Sequence, residues 1–296
     1  MTSQTFQKSL SLLATFRTRS PFGFAMLVTL AIVVAAAVLA PVISPQNPYD
    51  NAVVDFFDSN LPPGSKSGDG AITYWLGTDA LGRDMLSAIL YGLRTSLLIS
   101  GTAAALAFFL GALAGLSSAF FRGKTEAIIM RAVDIKLGFP TILVAMIIMA
   151  VFGPGVVNLV FALVFAQWPY YARTARSAAL VEMGKEYMDA TKCLELPIWR
   201  VLLVHLLPNS IPPLVVVFTL QLAHAAAIEA SLSFLGLGVS IEQPSLGLLI
   251  SNGSKEILSG HEWQLLFPGI ALVILIFTIN VVGDRLRLLL NPKEVD

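Results

Sequence analysis

Long apolar stretches separated by short polar segments dominate the pattern of this chain. The apolar residues are continuous and do not alternate with the two-residue period of barrel strands, so the pattern predicts helices. A bilayer core about 30 Å thick needs roughly 20 apolar residues as a helix. We therefore predict an all-α integral membrane protein with six transmembrane helices, at residues 21–44, 95–121, about 127–152, 156–172, about 209–234 and about 263–282.

The third and fourth predicted spans share the longest charge-free run, residues 137–172. A Gly-Pro-Gly sequence at 153–155 interrupts this run and predicts a turn between two helices. Because the run is short for two full spans, we expect the third span to begin upstream, around Ala127. It would then carry Asp134 and Lys136 near the membrane face.

The predicted spans divide the chain into segments. The first 20 residues form a cytoplasmic tail whose apolar residues repeat at helical spacing, as in a helix lying on a membrane surface. The remaining segments are a first transmembrane helix at 21–44, an external loop at 45–90, a five-helix core at 91–288 with a cytoplasmic loop at about 173–208, and a cytoplasmic tail at 289–296.

Composition agrees with a lipid environment, because only 13% of the residues are charged whereas soluble domains carry about 25%. The net charge of zero gives no basic field for binding nucleic acid. A single cysteine, Cys193, excludes an internal disulfide. The three histidines lie far apart and show no metal-ligand spacing, so no metal site is predicted.

The distribution of basic residues predicts the orientation in the membrane. With the N-terminus in the cytoplasm, 15 of the 19 lysine and arginine residues fall in cytoplasmic segments, as the positive-inside rule requires. Both termini are therefore expected to be cytoplasmic. The first apolar stretch is too long for a cleavable signal peptide and no small-x-small site follows it, so we expect it to be retained.

No motif for catalysis or nucleotide binding is complete. The triplet at 123–125, Gly-Lys-Thr, is similar to the end of a phosphate-binding loop, but Ser118 stands where that motif needs its first glycine. The predicted context is also the end of a membrane helix instead of a strand followed by a helix. If ATP drives this protein, another chain binds it. Sequences of the type G-x-S-x-G and H-E-x-x-H are absent, so we predict no catalytic residues.

Two polar residues within the fifth predicted span are candidates for pore-facing positions. His224 would serve as a proton relay or ligand contact, or alternatively as a helix–helix hydrogen-bonding residue. Glu229 follows five residues later in the same span. An ionisable residue in a span usually faces a cavity or a partner, and the alternative is a simple structural pair.

Several motifs resemble those of a known family. Leu-Gly-Thr-Asp-Ala-Leu-Gly-Arg-Asp-Met-Leu-Ser at 76–87, followed by Tyr-Gly-Leu-Arg-Thr-Ser-Leu at 91–97, resembles the segment entering the second span in C-type permease subunits of dipeptide, oligopeptide and nickel ABC importers. Three later segments are also similar to that family: Ser-Phe-Leu-Gly-Leu-Gly at 233–238, Pro-Ser-Leu-Gly at 244–247, and Gly-Asp-Arg-Leu-Arg at 283–287 before Asn-Pro.

The cytoplasmic loop carries a variant of the superfamily's E-A-A motif. Counting back from Leu-Pro at 207–208 places Asp189, Ala190 and Thr191 at the motif and Glu195 at its glycine. The first three side chains are small or short, so a helix there can sit close against another surface. The Leu-Pro pair at 196–197 then predicts a break, with proline opening a second short helix. We expect the turn at Glu195 to have ordinary backbone angles.

The resemblance implies a type I ABC importer permease fold, in the bacterial inner membrane, forming half of a translocation channel. The implied partners are a homologous B-type permease, two ATPase subunits that hold ATP and Mg²⁺, an external solute-binding protein, and membrane lipid. The residues expected to couple the channel to the ATPase are Glu186, Asp189, Ala190, Thr191, Glu195, Leu196 and Pro197. Those expected to act in external assembly or solute delivery are Gly77, Thr78, Asp79, Gly82, Arg83 and Asp84.

Within the resembled family, di- or oligopeptides are the leading expectation for the substrate, with a nickel chelate or glutathione as alternatives. A second class of function is a self-sufficient secondary carrier. Carriers of that class often show inverted repeats and broken helices at the midplane, and the sequence shows neither. A third class, an intramembrane enzyme, lacks its nucleophile motif.

Overall fold

A computed structural model describes residues 21–50, 53–239 and 243–290 of the protein. Within these ranges the chain is almost entirely helical. The helices are α1 (Pro21–Ile43), α2 (Met85–Phe121), α3 (Gly123–Leu137), α4 (Thr141–Phe152), α5 (Val156–Met183), α6 (Glu186–Cys193), α7 (Ile198–Phe234), α8 (Leu246–Glu256) and α9 (Trp263–Leu290). The expected surface helix in residues 1–20 lies outside the described residues.

Long apolar helices form the body of the molecule. Among the described residues, four helices are long and apolar enough to cross a membrane: α1, α2, α7 and α9. The pair α3 and α4 meets the same criterion only when taken together, which brings the number to five. Helix α5, with 28 residues, occupies the fourth predicted span and carries polar residues such as Asn158 and Gln167 within it. The prediction of an all-α membrane protein is confirmed.

The third predicted span, expected to begin around Ala127, consists of two helices with a sharp bend between them. Helices α3 and α4 meet at an angle of 91°, across the break at residues 138–140. Pro140 explains the break, because proline disfavours the helical conformation in the residue before it and provides no backbone N–H. The predicted turn at residues 153–155 is confirmed, since α4 ends at Phe152 and α5 begins at Val156.

Several helices extend beyond the charge-free runs that predicted them. Helix α2 begins at Met85, inside the predicted external loop, because the Asp84 side chain accepts the Ser87 N–H and caps the helix. At the end predicted to be cytoplasmic, α5 continues to Met183 and α7 begins at Ile198, with a π-helical stretch at Val201–Leu206. The charge-free criterion therefore located the membrane core but not the helix ends.

Helices α2 and α5 pack side by side through two glycines one turn apart. A Cβ atom built at Gly111 would lie 2.6 Å from the Tyr171 Cβ, and one at Gly115 would lie 2.7 Å from the Ala175 Cβ. No real side chain fits at such distances, so the pair forms a small-x-x-x-small contact of the kind that brings membrane helices together. Helix α7 packs against α2, α5 and α9, and α1 packs against α2 and α9.

The predicted outer and inner segments collect at opposite ends of this helix bundle. At one end, the Gly155 N–H donates to the Gly238 carbonyl at 3.0 Å, and Trp263 at the start of α9 contacts the loop before α2. That loop contains a short antiparallel ladder between β1 (Ser65–Lys66) and β2 (Thr73–Tyr74). At the other end, α6 and its turn connect α5 to α7. The fold thus separates two surfaces, one formed by the outer loop and one by α6.

Candidate functional site

In the outer loop, Asp79 and Arg83 form a buried ion pair. The Arg83 Nε and Nη2 each lie 2.7 Å from the Asp79 Oδ2. The other oxygen, Oδ1, accepts the backbone N–H groups of Leu81 and Arg83, each at 2.9 Å. Both residues are only 5% exposed. The Asp79 carboxylate therefore stabilises the turn at residues 79–83, and the Arg83 guanidinium forms its ion pair within the loop.

Thr78 ties the same loop to its own upstream segment and to α9. Its hydroxyl donates to the Asp58 carbonyl at 2.6 Å and accepts the Leu61 N–H at 2.8 Å. The Trp263 indole N–H donates to the Thr78 carbonyl at 3.1 Å. At Gly77, where φ is +77°, a Cβ atom would lie 2.7 Å from the Leu61 carbonyl oxygen. Only glycine meets both the backbone angle and the space there.

Gly82 and Asp84 complete the outer-loop framework. Gly82 also has a positive φ of 79° and packs directly against the Asp55 backbone. Asp84 is fully buried, its N–H donates to the Gln46 Oε1 at 2.7 Å, and its Oδ2 accepts the Ser87 hydroxyl at 2.6 Å. Burial raises the pKa of the Asp84 carboxyl above its usual range. The four polar side chains predicted for external function are thus all buried, and their arrangement supports the shape of the loop.

At the opposite end, α6 is a short helix with one exposed and one buried face. Asp189 and Ala190 are exposed, whereas Met188 and Thr191 are buried against the rest of the chain. The Thr191 hydroxyl donates to the Met188 carbonyl at 2.7 Å. At Ala190 the exposed side of α6 carries only a methyl group, which lets another surface approach the helix closely. Such a face suits close contact with a second protein.

The turn after α6 differs from the expectation of ordinary backbone angles. Glu195 has a φ of +46°, which is the left-handed conformation that favours glycine. The Leu196 N–H donates to the Thr191 carbonyl at 3.2 Å, as in a Schellman helix end where the left-handed residue stands between helix and exit. The expectation was wrong because the helix end imposes the angle whatever side chain stands there. Pro197 then caps the start of α7, so the predicted helix–turn–helix arrangement is confirmed, although the second helix is not short but continues into the membrane span.

Polar contacts hold α6 to both neighbouring membrane helices. The Tyr187 hydroxyl donates to the Glu182 Oε2 of α5 at 2.9 Å, and the Asn209 Nδ2 of α7 donates to the Tyr187 hydroxyl oxygen at 3.3 Å. Partial burial, followed by the hydrogen bond to Glu182, raises the pKa of Tyr187 above its ordinary value. One side chain thus links α5, α6 and α7. A displacement of α6 would pull on both membrane helices.

The two ionisable residues of α7 occupy different environments. Glu229 is fully buried in the helix bundle, and its Oε1 accepts the Ser233 hydroxyl at 2.8 Å. His224 is exposed, and its Nδ1 lies 3.3 Å from the Gln221 Oε1. Of the two candidates, only His224 presents its side chain on an open face of the chain.

A set of polar side chains from four helices lies in the apolar bundle on the side of His224. Its links are the Gln167 Nε2, which donates to the Gln221 carbonyl at 3.3 Å, and the Tyr170 hydroxyl, 3.0 Å from the Thr141 hydroxyl. Lys136 at the end of α3 lies over the Tyr170 ring, with its Nζ 5.0 Å from the ring centroid. We call this set the polar belt; it consists of Lys136, Thr141, Gln167, Tyr170, Gln221 and His224.

Most of the polar belt was missed from the sequence. Gln167 and Gln221 were overlooked because only charged residues and histidines were examined within the spans. Amides in an otherwise apolar run were the available signal, since each needs a hydrogen-bond partner within the membrane. Lys136 was predicted near the membrane face, but the 91° bend that follows α3 was not predicted. Among the described residues, no group of three or more His, Cys, Asp or Glu could hold a metal ion.

Comparison with known proteins gives a consistent result. Residues 107–295 match the family described as binding-protein-dependent transport system inner membrane component. The chain is 34% identical over 267 residues to the Di/tripeptide transport system permease protein DppC of Pseudomonas aeruginosa, covering 90% of this chain and 86% of the relative. It is 36% identical over 267 residues to the Dipeptide transport system permease protein DppC of Escherichia coli K12, covering 90% of this chain and 87% of the relative.

The fold is also similar to a solved structure. A chain of the MetNI methionine ABC transporter, in an inward-facing conformation, superposes with a TM-score of 0.56 at 20% identity, covering 70% of this chain and 97% of the other. At that level of identity the likeness concerns the fold alone. It agrees with an all-α permease architecture.

Proposed function

This chain belongs to the family of binding-protein-dependent transport system inner membrane components, and from that premise we propose that it forms half of the channel of an ATP-driven importer of di- or oligopeptides. The observation that carries the substrate class is the 34% and 36% identity, over nine-tenths of the chain, to permeases named for di/tripeptide and dipeptide transport. The match extends through the outer loop and the helical core together.

The other half of the channel would come from a homologous B-type permease, and the energy from two ATPase subunits. Those subunits would hold ATP and Mg²⁺, since this chain has no complete nucleotide-binding motif. An external solute-binding protein would deliver the peptide at the end of the bundle formed by the outer loop. The buried framework around Asp79 and Arg83 would act there by holding the loop surface in shape, not by touching the solute.

Coupling would take place through the surface formed by residues 186–200. The exposed face of α6 carries Asp189 and Ala190, and a groove on an ATPase subunit could receive it. Because Tyr187 links α6 to both α5 and α7, a push on α6 would reach two membrane helices as one rigid movement. The Schellman turn at Glu195 would keep the angle between α6 and α7 fixed during that movement.

The charge distribution supports an orientation with α6 in the cytoplasm and the outer loop outside the cell. Arg173 and Arg176 of α5 lie at the α6 end of the bundle, together with the basic residues of α3. This is the side where lysine and arginine accumulate in bacterial membrane proteins.

The proposed function is tested by reconstitution. The B-type permease, the two ATPase subunits and the binding protein would be placed in liposomes with and without this chain, and the uptake of labelled dialanine would be measured. We expect ATP-dependent uptake only when this chain is present. Uptake of a nickel chelate or glutathione, with none of dialanine or longer peptides, would assign the chain to another substrate class. Dialanine uptake without ATP would contradict the proposal as a whole.

A further inference from the structure

Lys136 is a buried cation without a hydrogen-bond partner among the described residues. It is 6% exposed, and its Nζ is enclosed in the chain. Burying an ammonium group within a membrane protein is costly, and such residues usually pair with an opposite charge or face a cavity. The contact that the structure does provide is the face of the Tyr170 ring at 5.0 Å, which attracts a cation without neutralising it.

The acidic residues of the same helix are already used. The Asp134 Oδ1 accepts the Arg173 Nη2 at 2.6 Å, and the Glu126 carboxylate pairs with the Arg176 guanidinium. Helix α3 therefore pairs both of its carboxylates with arginines of α5. Lys136 is the one buried basic residue of this helix, since Lys124 and Arg131 are exposed, and its Nζ has no hydrogen-bond partner among the described residues.

The unmatched charge lies beside an open polar face. Lys136 lies over the Tyr170 ring, and Tyr170 and Gln167 are one turn apart on α5. The Gln167 amide contacts the Gln221 carbonyl, and the His224 side chain beside Gln221 is exposed on α7. The Gln221 Nε2, next to His224, has no hydrogen-bond partner among the described residues. The Tyr170 hydroxyl and the Thr141 hydroxyl, 3.0 Å apart, continue the polar surface around the bend into α4. Among the described residues, the unpaired side-chain atoms of the polar belt are two donors, the Lys136 Nζ and the Gln221 Nε2, and one acceptor, the Gln167 Oε1.

We propose that the polar belt is a carboxylate-binding site in the translocation path, with Lys136 as the charged donor and the C-terminal carboxylate of a passing peptide as the ligand. This inference rests on the proposed function, because it assigns to one end of the transported peptide a contact inside the channel. The amide and hydroxyl groups of the belt would replace part of the water around the carboxylate. Binding to such a site is weak enough for release, because the site is polar on one side only and open at His224.

The test uses the complete complex in liposomes, with saturating dialanine-loaded binding protein. Uptake of labelled dialanine and hydrolysis of ATP are measured in the same sample for wild type, Lys136→Met, Lys136→Arg and the control Lys124→Met. Lys124 is an exposed lysine of the same helix, so its replacement removes equal charge without touching the belt. The quantity compared is dialanine transported per ATP hydrolysed.

We expect Lys136→Met to lower dialanine transport per ATP at least about tenfold, since a hydrogen bond to an ionised group is lost. Lys136→Arg, which keeps the charge, should stay within about twofold of wild type, as should Lys124→Met. A structural role for Lys136 would lower ATP hydrolysis and uptake together, and arginine would not rescue them. Such a joint loss, or a Lys136→Met complex that transports normally, would overturn the proposal.

A second measurement separates peptide from lipid as the source of the anion. Native mass spectrometry of the complex would show a bound anionic phospholipid in wild type and its loss in Lys136→Met if a lipid phosphate occupies the site. If Lys136→Met loses the bound phospholipid but transports as much dialanine per ATP as wild type, the polar belt binds lipid and the peptide proposal is overturned. Failure of the wild-type complex to import any peptide would instead contradict the proposed function, so the two failures are distinguishable.

Discussion

Inside the outer loop, the Arg83 guanidinium forms an ion pair at 2.7 Å with the carboxylate of Asp79, which stands four residues earlier in the chain. Both side chains are almost fully buried. The same carboxylate accepts two backbone N–H groups from the turn that it encloses. A charged pair in an external loop would ordinarily be available to a partner protein. Here its geometry makes it part of the loop's interior, where it supports the surface around it.

Replacing Arg83 by alanine should therefore unfold the outer loop. The change leaves the Asp79 carboxylate buried and without its counter-charge, and removing one partner of a buried pair costs about 3–5 kcal/mol. We expect lower dialanine uptake accompanied by faster proteolysis of residues 45–84 in the purified complex. Limited proteolysis followed by mass spectrometry measures the second effect.

Lys66→Ala serves as the control for that experiment, because Lys66 is exposed in the same loop. It should change neither uptake nor proteolysis. If Arg83→Ala lowered uptake while the loop stayed resistant to protease, Arg83 would act on a partner directly and the interior role would be wrong.

The turn at Glu195 offers a prediction about local stability. Glycine populates the left-handed region freely, whereas an L-residue is strained there by roughly 1–2 kcal/mol; part of the gain is offset by the entropy of glycine in the unfolded chain. We expect Glu195→Gly to preserve transport and to slow amide hydrogen exchange in residues 186–200. The free energy of local unfolding there should rise by about 0.5–1 kcal/mol. Glu195→Ala, which keeps the strain, should show no such gain. Faster exchange in the glycine variant would contradict the assignment of strain to this residue.

Topology can be tested with the chain's own cysteine. Cys193 is exposed in α6 and should be protected from a membrane-impermeant maleimide in intact cells, then react once the cells are permeabilised. In a Cys193→Ser background, cysteines introduced at Lys66 and Ser259, both exposed, should react in intact cells. Labelling of Cys193 from outside, together with protection of the other two positions, would reverse the orientation.

The sequence predicted an all-α membrane protein, because a long continuous apolar segment in a membrane satisfies its own backbone hydrogen bonds by forming a helix. It placed the break at 153–155 correctly since two glycines and a proline cannot continue a helix. The bend at Pro140 was missed, however, because a single proline within a span is often tolerated. The left-handed angle at Glu195 was also predicted wrongly, because a glutamate at the motif's glycine position suggested ordinary backbone angles, whereas the Schellman end of α6 still requires the left-handed conformation.

Burial explains the remaining differences. Asp79 and Arg83 were singled out as polar residues in an external loop, but nothing local shows that they face each other inside it. Lys136 and Glu229 are charged residues in or near spans, and the sequence does not say which side of a helix meets the bundle. The polar belt is likewise a product of packing, since it joins residues from four helices that are distant along the chain.

The coupling role of α6 is the central claim, and one substitution tests it most directly. Ala190 is exposed, so Ala190→Trp adds bulk to the proposed docking face without overpacking the chain's own interior. Ala127→Trp makes the same change on an exposed position of α3 and serves as the control.

The measurement is the stimulation of ATP hydrolysis by dialanine-loaded binding protein, in reconstituted complexes of equal subunit content. If an ATPase subunit closes on α6, the indole ring should block the contact, and stimulation in Ala190→Trp should fall at least about fivefold, the lower end of ordinary coupling energies. Ala127→Trp should be stimulated like wild type. A fully stimulated Ala190→Trp complex would show that α6 does not couple the channel to the ATPase.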